Sequence, residues 1–316
     1  MVHVHSYFSL RYGTTAPLEA AEALRDEGWE TFLFADVNNT SATWDIKRWC
    51  KKENFLGLTG VDFKNNVTTV FVAIPVSEEG FREVNEWLSF HLHEKKDFPE
   101  RAPEWQHVKV IYPLDQVRDW PMDIMRENEW VSVAPHEINR WRISRWKDFE
   151  RCLALPVFSF RNKRAFNAHR LLRAVENNVL LSKLSTLDHA TEREIWKSKS
   201  DIEEGYAEYP LLQKTTDVFK EWATAWVMEE SVTMKNQLIY GLNAAQDEDL
   251  LEQLCWEGLQ YRYPEVSRED EKSPIIVRIR KELDMIKEKS FVAYFLINWD
   301  ITSYARSNGY FYVGRG

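Results

Sequence analysis

Val2-His3-Val4-His5, then Thr15-Ala16-Pro17-Leu18-Glu19-Ala20-Ala21-Glu22-Ala23-Leu24, then Thr31-Phe32-Leu33-Phe34-Ala35-Asp36 fill the start of the chain and decide its fold class. The outer two are short apolar runs of the β type. The middle one has helical spacing: Thr15 is positioned to cap, Pro17 suits a first turn, Leu18, Ala21 and Leu24 share a face, and Gly28 ends it. A strand, a helix and a second strand in so short a span is the repeating unit of an α/β fold.

The alternation continues outward. Leu56–Phe63, Val67–Ile74, Val108–Tyr112, Trp130–Ala134 and Leu155–Phe160 are near-continuous apolar runs, as strands buried on both faces require. Ser41–Glu53, Glu78–His93 and Phe166–Asn177 carry helical patterns between them. About seven such units would nearly close a barrel. Beyond residue 200 the pattern turns helical, over Asp201–Glu230, Asp247–Arg262 and Ile275–Lys289, with one further strand expected at Tyr310–Val313. A boundary near residue 225 gives two expected domains, 1–225 and 226–316.

Composition narrows the classes. With 44% hydrophobic residues among 316, the chain can bury a large core and is not a disordered chain. A net charge of −9 excludes a protein that coats DNA over its whole surface, so any nucleic-acid contact must be local. The longest strongly apolar run, Phe291–Ile297, is far below the roughly 20 residues of a bilayer span. The N-terminus lacks a secretion-signal layout. Cys50, Cys152 and Cys255 form no CxxC pair, so a cysteine zinc finger or disulfide scaffold is excluded and a reducing cytoplasm is the expected setting.

On an extended strand, residues two apart point the same way, so His3 and His5 can converge on one metal ion. Tyr7-Phe8-Ser9-Leu10 and Gly13 follow them, and the whole resembles the opening motif of PHP (polymerase and histidinol phosphatase) domains. Leu33-Phe34-Ala35-Asp36 with Val37-Asn38-Asn39 resembles the second motif of that family, and Phe55–Phe63, with Gly57, Gly60 and Asp62, resembles its Gly-x-Glu strand. Ser77-Glu78-Glu79-Gly80-Phe81 and Ala168-His169-Arg170-Leu171-Leu172 resemble two helices of the PHP domain in bacterial DNA polymerase III alpha subunits. Ala293-Tyr294-Phe295-Leu296-Ile297-Asn298-Trp299-Asp300, Tyr304-Ala305, Gly309 and Val313-Gly314-Arg315-Gly316 resemble the segment that opens their polymerase palm.

The resemblance covers nearly the whole chain. It implies a PHP-type distorted (β/α)7 barrel, followed by a smaller, mostly helical region leading into the polymerase palm. It further implies a parent that adds deoxynucleotides to a primer with two Mg²⁺ ions, held by palm carboxylates beyond Gly316. The barrel would pack against the rest of the polymerase chain. Primer–template DNA, a proofreading exonuclease and other replisome components are the implied partners, with no membrane and a cytoplasmic location.

Carried over by position, the implied metal ligands are His3, His5, Asp36 and Asp62. The other ligand positions read Tyr12, Val37, Val70 and Arg161-Asn162-Lys163, and His136 aligns loosely with the family's mid-barrel cysteine. Valine offers no lone pair, tyrosine no useful one, and cationic side chains repel a metal ion. The expected site is therefore vestigial or weak, with residual Zn or Mn as the most it would hold, and this fragment has no catalytic residues of its own. The rival reading is a metal-dependent PHP phosphoesterase or 3′-5′ exonuclease with a reduced site, which predicts chelator-sensitive hydrolysis.

From Arg140 to Arg173 the chain carries ten Lys/Arg against Asp148 and Glu150. Arg140, Arg142 and Arg145 interleave with Trp141 and Trp146, a pattern that suits phosphate contact and base stacking. An ordinary helix with buried indoles and solvated arginines fits the same letters. Arg161, Lys163 and Arg164 are expected near the mouth of the old metal site, as phosphate contacts. Gly314, Arg315 and Gly316 resemble the start of a triphosphate loop, where backbone N–H groups approach phosphate. Asp247 and Asp249 are expected as helix-start charges, and His91 and His93 as surface residues.

Overall fold

In a computed structural model of the chain the described residues are 1–226 and 240–314. The chain divides into two compact units, Met1–Glu229 and Glu230–Gly316.

The first unit is built on one sheet of eight strands: β1 (Val2–Val4), β2 (Thr31–Val37), β3 (Leu56–Asn65), β4 (Thr68–Pro75), β5 (Val108–Pro113), β6 (Glu129–Val133), β7 (Cys152–Ala154) and β8 (Val157–Phe158). Their order is β7-β6-β5-β4-β3-β2-β1-β8. All neighbours are parallel except β4, which runs antiparallel to β3 and β5. β7 and β8 lie at opposite ends of that order, yet only Leu155 and Pro156 separate them in sequence. Leu155 N–H donates to Val133 C=O beside β6, and Pro156 C=O accepts from His3 N–H in β1. One continuous segment thus pairs with both ends of the sheet, which closes it into a distorted barrel. The expected Leu155–Phe160 strand is interrupted because Pro156 has no N–H to give the ladder.

Inside the barrel, Leu33, Ala35, Leu58, Val72, Ile74, Ile111, Leu153 and Leu155 form an apolar cluster. Phe219, Trp222 and Ala223, on the helix Thr215–Ala225, pack into the same cluster and stopper it. Outside, Val2, Val4, Phe32, Phe34, Phe63 and Phe71 face the surrounding helices. Ser77 caps the helix Glu78–Glu94 by accepting from Gly80 N–H at 3.0 Å, and Asn162 caps Lys163–Glu176 through Ala165 N–H at 3.0 Å.

Several local expectations need correction. The helix Pro17–Asp26 takes Ala16 as its N-cap with no side-chain bond, and Thr15 instead accepts Tyr7 N–H through its backbone C=O. Leu18 is largely exposed; Ala20 takes its expected place on the buried face. The single helix expected over Asp201–Glu230 is three helices, Lys199–Tyr206, Pro210–Gln213 and Thr215–Ala225, with residues 227–230 outside the described chain. Pro210 causes the first break, since it keeps Tyr209 out of helical geometry.

In the second unit the described helices are Ala244–Arg262, Pro274–Glu288 and Val292–Ser307, around Leu251, Trp256, Leu259, Ile276, Leu283 and Leu296. Asp247 accepts from the N–H groups of Tyr240 and Gly241, which ties down the chain entering the first of these helices. Tyr310–Val313 is not a strand: it is irregular and solvent-exposed, with no partner strand among the described residues to pair with it.

Candidate functional site at the barrel mouth

The register of the sheet aims the site. His3 pairs with Leu33 and Leu33 with Leu58, so His3, His5, Ala35, Gly60 and Asp62 project into the interior at or near the C-terminal ends of β1, β2 and β3. Gly13 shapes the loop after β1: a Cβ there would lie 1.8 Å from Ser6 O. His3, His5 and Asp62 each offer one ligand atom, all within 4.8 Å of one another and all buried, and this triad could hold a metal ion. Its edge-on rings have centroids 4.5 Å apart.

Those atoms are already engaged. His5 Nε2 lies 2.9 Å from Asp62 Oδ2, and His5 Nδ1 lies 2.7 Å from Ser159 Oγ. His3 Nε2 donates to Ala35 O at 2.9 Å. Ser159 Oγ also meets Glu194 Oε2, and Tyr12 OH donates to both Glu194 oxygens at 3.1 and 3.0 Å. Ser159 owns one proton, which it gives to Glu194, and its lone pairs face His5 Nδ1. Burial raises the Glu194 pKa, while burial and the neighbouring His3 push His5 down to about 3. Burial also lowers His3 and raises Tyr12.

The cation in this pocket is Lys64. Its Nζ lies 3.1 Å from Asp62 Oδ2 and donates to Thr69 Oγ1 at 2.6 Å, and the side chain is 5% exposed. Burial opposes ionisation of Asp62, but Lys64 and the two histidines outweigh it and hold the carboxyl well below the usual range. Asp62 Oδ1 is buried and has no hydrogen-bond partner. The donor set therefore leaves one free carboxylate oxygen beside a seated ammonium. That fits at most one ion and falls short of the full ligand set implied by the resemblance.

Asp36 is not part of the triad. Its carboxylate accepts from Ser6 N–H at 2.6 Å, Ser6 Oγ at 2.8 Å and Ser9 Oγ at 2.7 Å, pinning the loop after β1. Burial still raises its pKa despite these bonds. His136 sits in the turn Pro135–Glu137 after β6, outside the cluster. His169 is buried, bonded to Tyr12 O at 2.8 Å and to Ala190 N–H at 2.9 Å. His91, expected at the surface, is buried against Trp87 and Phe98, while His93 is exposed.

The basic stretch is distributed over several elements. Trp141 and Trp146 are core residues, which removes them as base-stacking platforms. Arg140 makes a two-pronged pair with Asp115 at 2.7 and 3.2 Å, Arg145 donates to Trp120 O at 3.3 Å, and Arg142 is exposed. Arg161 stacks over Trp196 at 4.8 Å, Lys163 pairs with Glu192, and Arg164 is exposed at the start of its helix. Arg161 and Lys163 are thus not the cations that reach the triad; Lys64 is. Gly314 lies in irregular chain, and Arg315 and Gly316 fall outside the described residues.

Lys64, Ser159, Thr69 and Glu194 were not singled out from sequence. Lys64 had a signal, because it stands two residues beyond Asp62 on the same strand and so shares its face. Glu194 had none: it reaches the site through a bridge between Phe160 and Ile195, far along the chain from β8.

Residues 249–316 match the sequence profile of the bacterial DNA polymerase III alpha NTPase domain. The DNA polymerase III subunit alpha of Ureaplasma parvum is 21% identical over 309 residues, 98% of this chain and 29% of that protein. The chain is thus similar to bacterial DNA polymerase III alpha subunits, weakly over nearly its whole length and by profile over residues 249–316. Error-prone DNA polymerases are also similar: 36% identity over 67 residues in Anaeromyxobacter dehalogenans and 40% over 80 in Rhizobium meliloti, 21% and 25% of this chain and 6% and 7% of theirs. The chain spans under a third of the length of each of these relatives. Among the described residues no helix is long and apolar enough to cross a membrane.

Proposed function

We propose that this chain is the N-terminal part of a DNA polymerase III alpha-type enzyme, and that its barrel is a structural and interaction scaffold whose metal centre has been lost. The observation that carries the reading is the Lys64 ammonium 3.1 Å from Asp62, where a divalent cation would otherwise balance the carboxylate. An internal cation of this kind supplies charge without activating water, so it holds the pocket together and cleaves nothing. The parent's template-directed DNA synthesis with Mg²⁺, its contacts with DNA through Arg140, Arg142, Arg145, Arg161, Lys163 and Arg164, its replisome partners, its nucleotide contacts at Gly314–Gly316 and its cytoplasmic location belong to the same proposal. The helix Val292–Ser307 supports membership in a larger body: Tyr294, Phe295, Trp299, Ile301 and Tyr304 are all exposed, an apolar surface that asks for cover.

A second reading, a phosphoesterase or 3′-5′ exonuclease with a reduced site, is favoured by one observation, the partnerless Asp62 Oδ1 beside His3 and His5. Elemental analysis of the purified chain and of a His3→Ala/His5→Ala variant separates the two. The scaffold reading expects near-zero Zn, Mn and Fe in both. One or more ions per chain, lost in the variant, together with chelator-sensitive hydrolysis, would establish the enzyme reading instead.

A further inference from the structure

The helix Lys163–Glu176 and the turn after it leave an apolar surface uncovered on the first unit. Phe166, His169, Arg173 and Ala174 form the buried side of the helix. On the other side Leu171 and Val175, one helical turn apart, are 55% and 64% exposed. Asn178 then takes a left-handed conformation (φ 52°) and Val179 N–H donates to Ala174 O at 3.0 Å, so the chain turns back on its own helix. The turn Leu181–Lys183 packs against that helix and adds the exposed side chains of Val179, Leu180 and Leu181. The segment is fastened at its far end. Arg173 Nε donates to Asp188 O at 2.8 Å, and Asn66 Nδ2, between β3 and β4, donates to Leu187 O at 3.3 Å. Charge around this surface is one-sided. Residues 161–188 carry six Lys/Arg against Glu176 and Asp188. Glu176 is paired with Arg11, and Asp188 accepts from Asn66 Nδ2 at 3.0 Å. Arg164 and Lys183 are exposed and, among the described residues, form no ion pair. The buried Nε of Arg170 has no hydrogen-bond partner.

We propose that this face docks an amphipathic helix of a separate protein, with a leucine-rich stripe and acidic flanks. Leu171 and Val175 at helical spacing form a ridge that a second helix can receive, and Arg164 at the start of the helix and Lys183 in the turn select acidic flanks. A second copy of this chain is disfavoured, since a symmetric contact through this face would set the same cations against each other. Duplex DNA would meet the cations and leave the leucines uncovered. A lipid interface favours aromatic anchors, and the exposed apolar residues here are Leu and Val alone. The inference rests on the scaffold reading and deepens it by naming a docking surface and the chemistry of its partner.

Fluorescence anisotropy with the full chain in EDTA tests it, using a labelled peptide of about 18 residues with Leu at helical spacing and Glu elsewhere. Saturable binding is expected, weakened by salt. A peptide with Lys in place of every Glu should bind at least about tenfold more weakly, as should one with Ser in place of every Leu. Leu171→Ser/Val175→Ser should lower affinity about tenfold or more at an unchanged Tm, because both side chains are exposed. Arg164→Glu/Lys183→Glu should reverse the preference toward the Lys peptide, a gain that a folding defect cannot produce. Absence of saturable binding overturns the inference, as does equal affinity for the Glu and Lys peptides or an unaffected Leu171→Ser/Val175→Ser variant. Self-association in sedimentation that this variant abolishes would overturn it in favour of a second copy. Duplex DNA or phosphatidylglycerol vesicles that need Leu171 and Val175 for binding would overturn it in favour of those ligands. Each of these failures falls on this inference alone, whereas bound Zn, Mn or Fe lost in His3→Ala/His5→Ala overturns the scaffold reading instead.

Discussion

Lys64 and Asp62 form an ion pair at 3.1 Å in which both side chains are almost wholly removed from water. Removing one partner of such a pair leaves an uncompensated buried charge, a loss of about 3–5 kcal/mol. Lys64→Met keeps the volume and deletes the charge. Urea unfolding should show that loss, and Zn²⁺ or Mn²⁺ should restore part of it by taking the vacated place near His3, His5 and Asp62. The unaltered chain should gain nothing from either metal. A Lys64→Met variant with full stability and no metal response would remove Lys64 from its assigned role.

Acid sensitivity has a definite window. His169 is buried with both ring nitrogens engaged, and burial, the first cause, pushes its pKa down from 6.5 to about 4. Below pH 6.5 the unfolded chain takes up a proton that the folded chain refuses, so stability is full above 6.5 and falls as pH drops toward 4. The loss from this group is about 3 kcal/mol. Unfolding free energies measured between pH 7 and 4 should show the slope, and His169→Gln should flatten it. His3 and His5, also lowered, and Asp62, whose depressed pKa acts below pH 4, add further acid loss.

Trp141 and Trp146 separate core from nucleic-acid function. Trp141→Ala should cost about 3–5 kcal/mol of stability as a core truncation. It should leave DNA affinity per folded molecule unchanged, measured by fluorescence anisotropy at low temperature. Arg142→Gln/Arg164→Gln should leave stability nearly unchanged while reducing the salt dependence of any DNA binding. A Trp141→Ala chain that stays stable and loses DNA would restore the stacking role.

Gly13→Ala would place a methyl group 1.8 Å from Ser6 O, in the loop that Asp36 pins. The backbone must move, at a cost of about 1–3 kcal/mol, and the bonds from Ser6 and Ser9 to Asp36 should loosen with it. Faster hydrogen exchange at Ser6 N–H is the readout. Unchanged exchange would show that the loop accommodates the methyl group elsewhere.

Much of the barrel was legible because its strands are nearly continuous apolar runs: each expected β segment from Val2 to Phe160 overlaps a strand of the sheet, though only Val157–Phe158 of the last one does and Cys152–Ala154 was not expected. Failures came where a local pattern competes with longer-range packing. Leu18 fits the helical face by spacing, yet Ala20 is buried there. Tyr310–Val313 has strand composition, but a strand needs a neighbour and none of the described chain provides one. At the site, His3 and His5 were readable from period-two alternation, and Asp62 only through the resemblance to the Gly-x-Glu strand. Asp36 points to the opposite side of its strand, where the Ser6–Ser9 loop takes both oxygens. Lys64 lay one residue past the expected end of its strand, and Glu194 comes from a distant turn that no local spacing could reveal.

The segment from Cys152 to Phe158, bonded to Val133 on one side and His3 on the other, has a consequence for how the molecule is made. Until it leaves the ribosome, the growing chain presents two bare β-edges, one at β1 and one at β6, each able to recruit a strand from another molecule. Closure must then join residues about 155 positions apart, a slow step in a topology of this kind. Truncations ending before Cys152 should therefore aggregate during synthesis, and those that retain Phe158 but lack Thr215–Ala225 should form a barrel open at its apolar end. Birth order along the chain is therefore a determinant of folding yield that the truncation series measures directly.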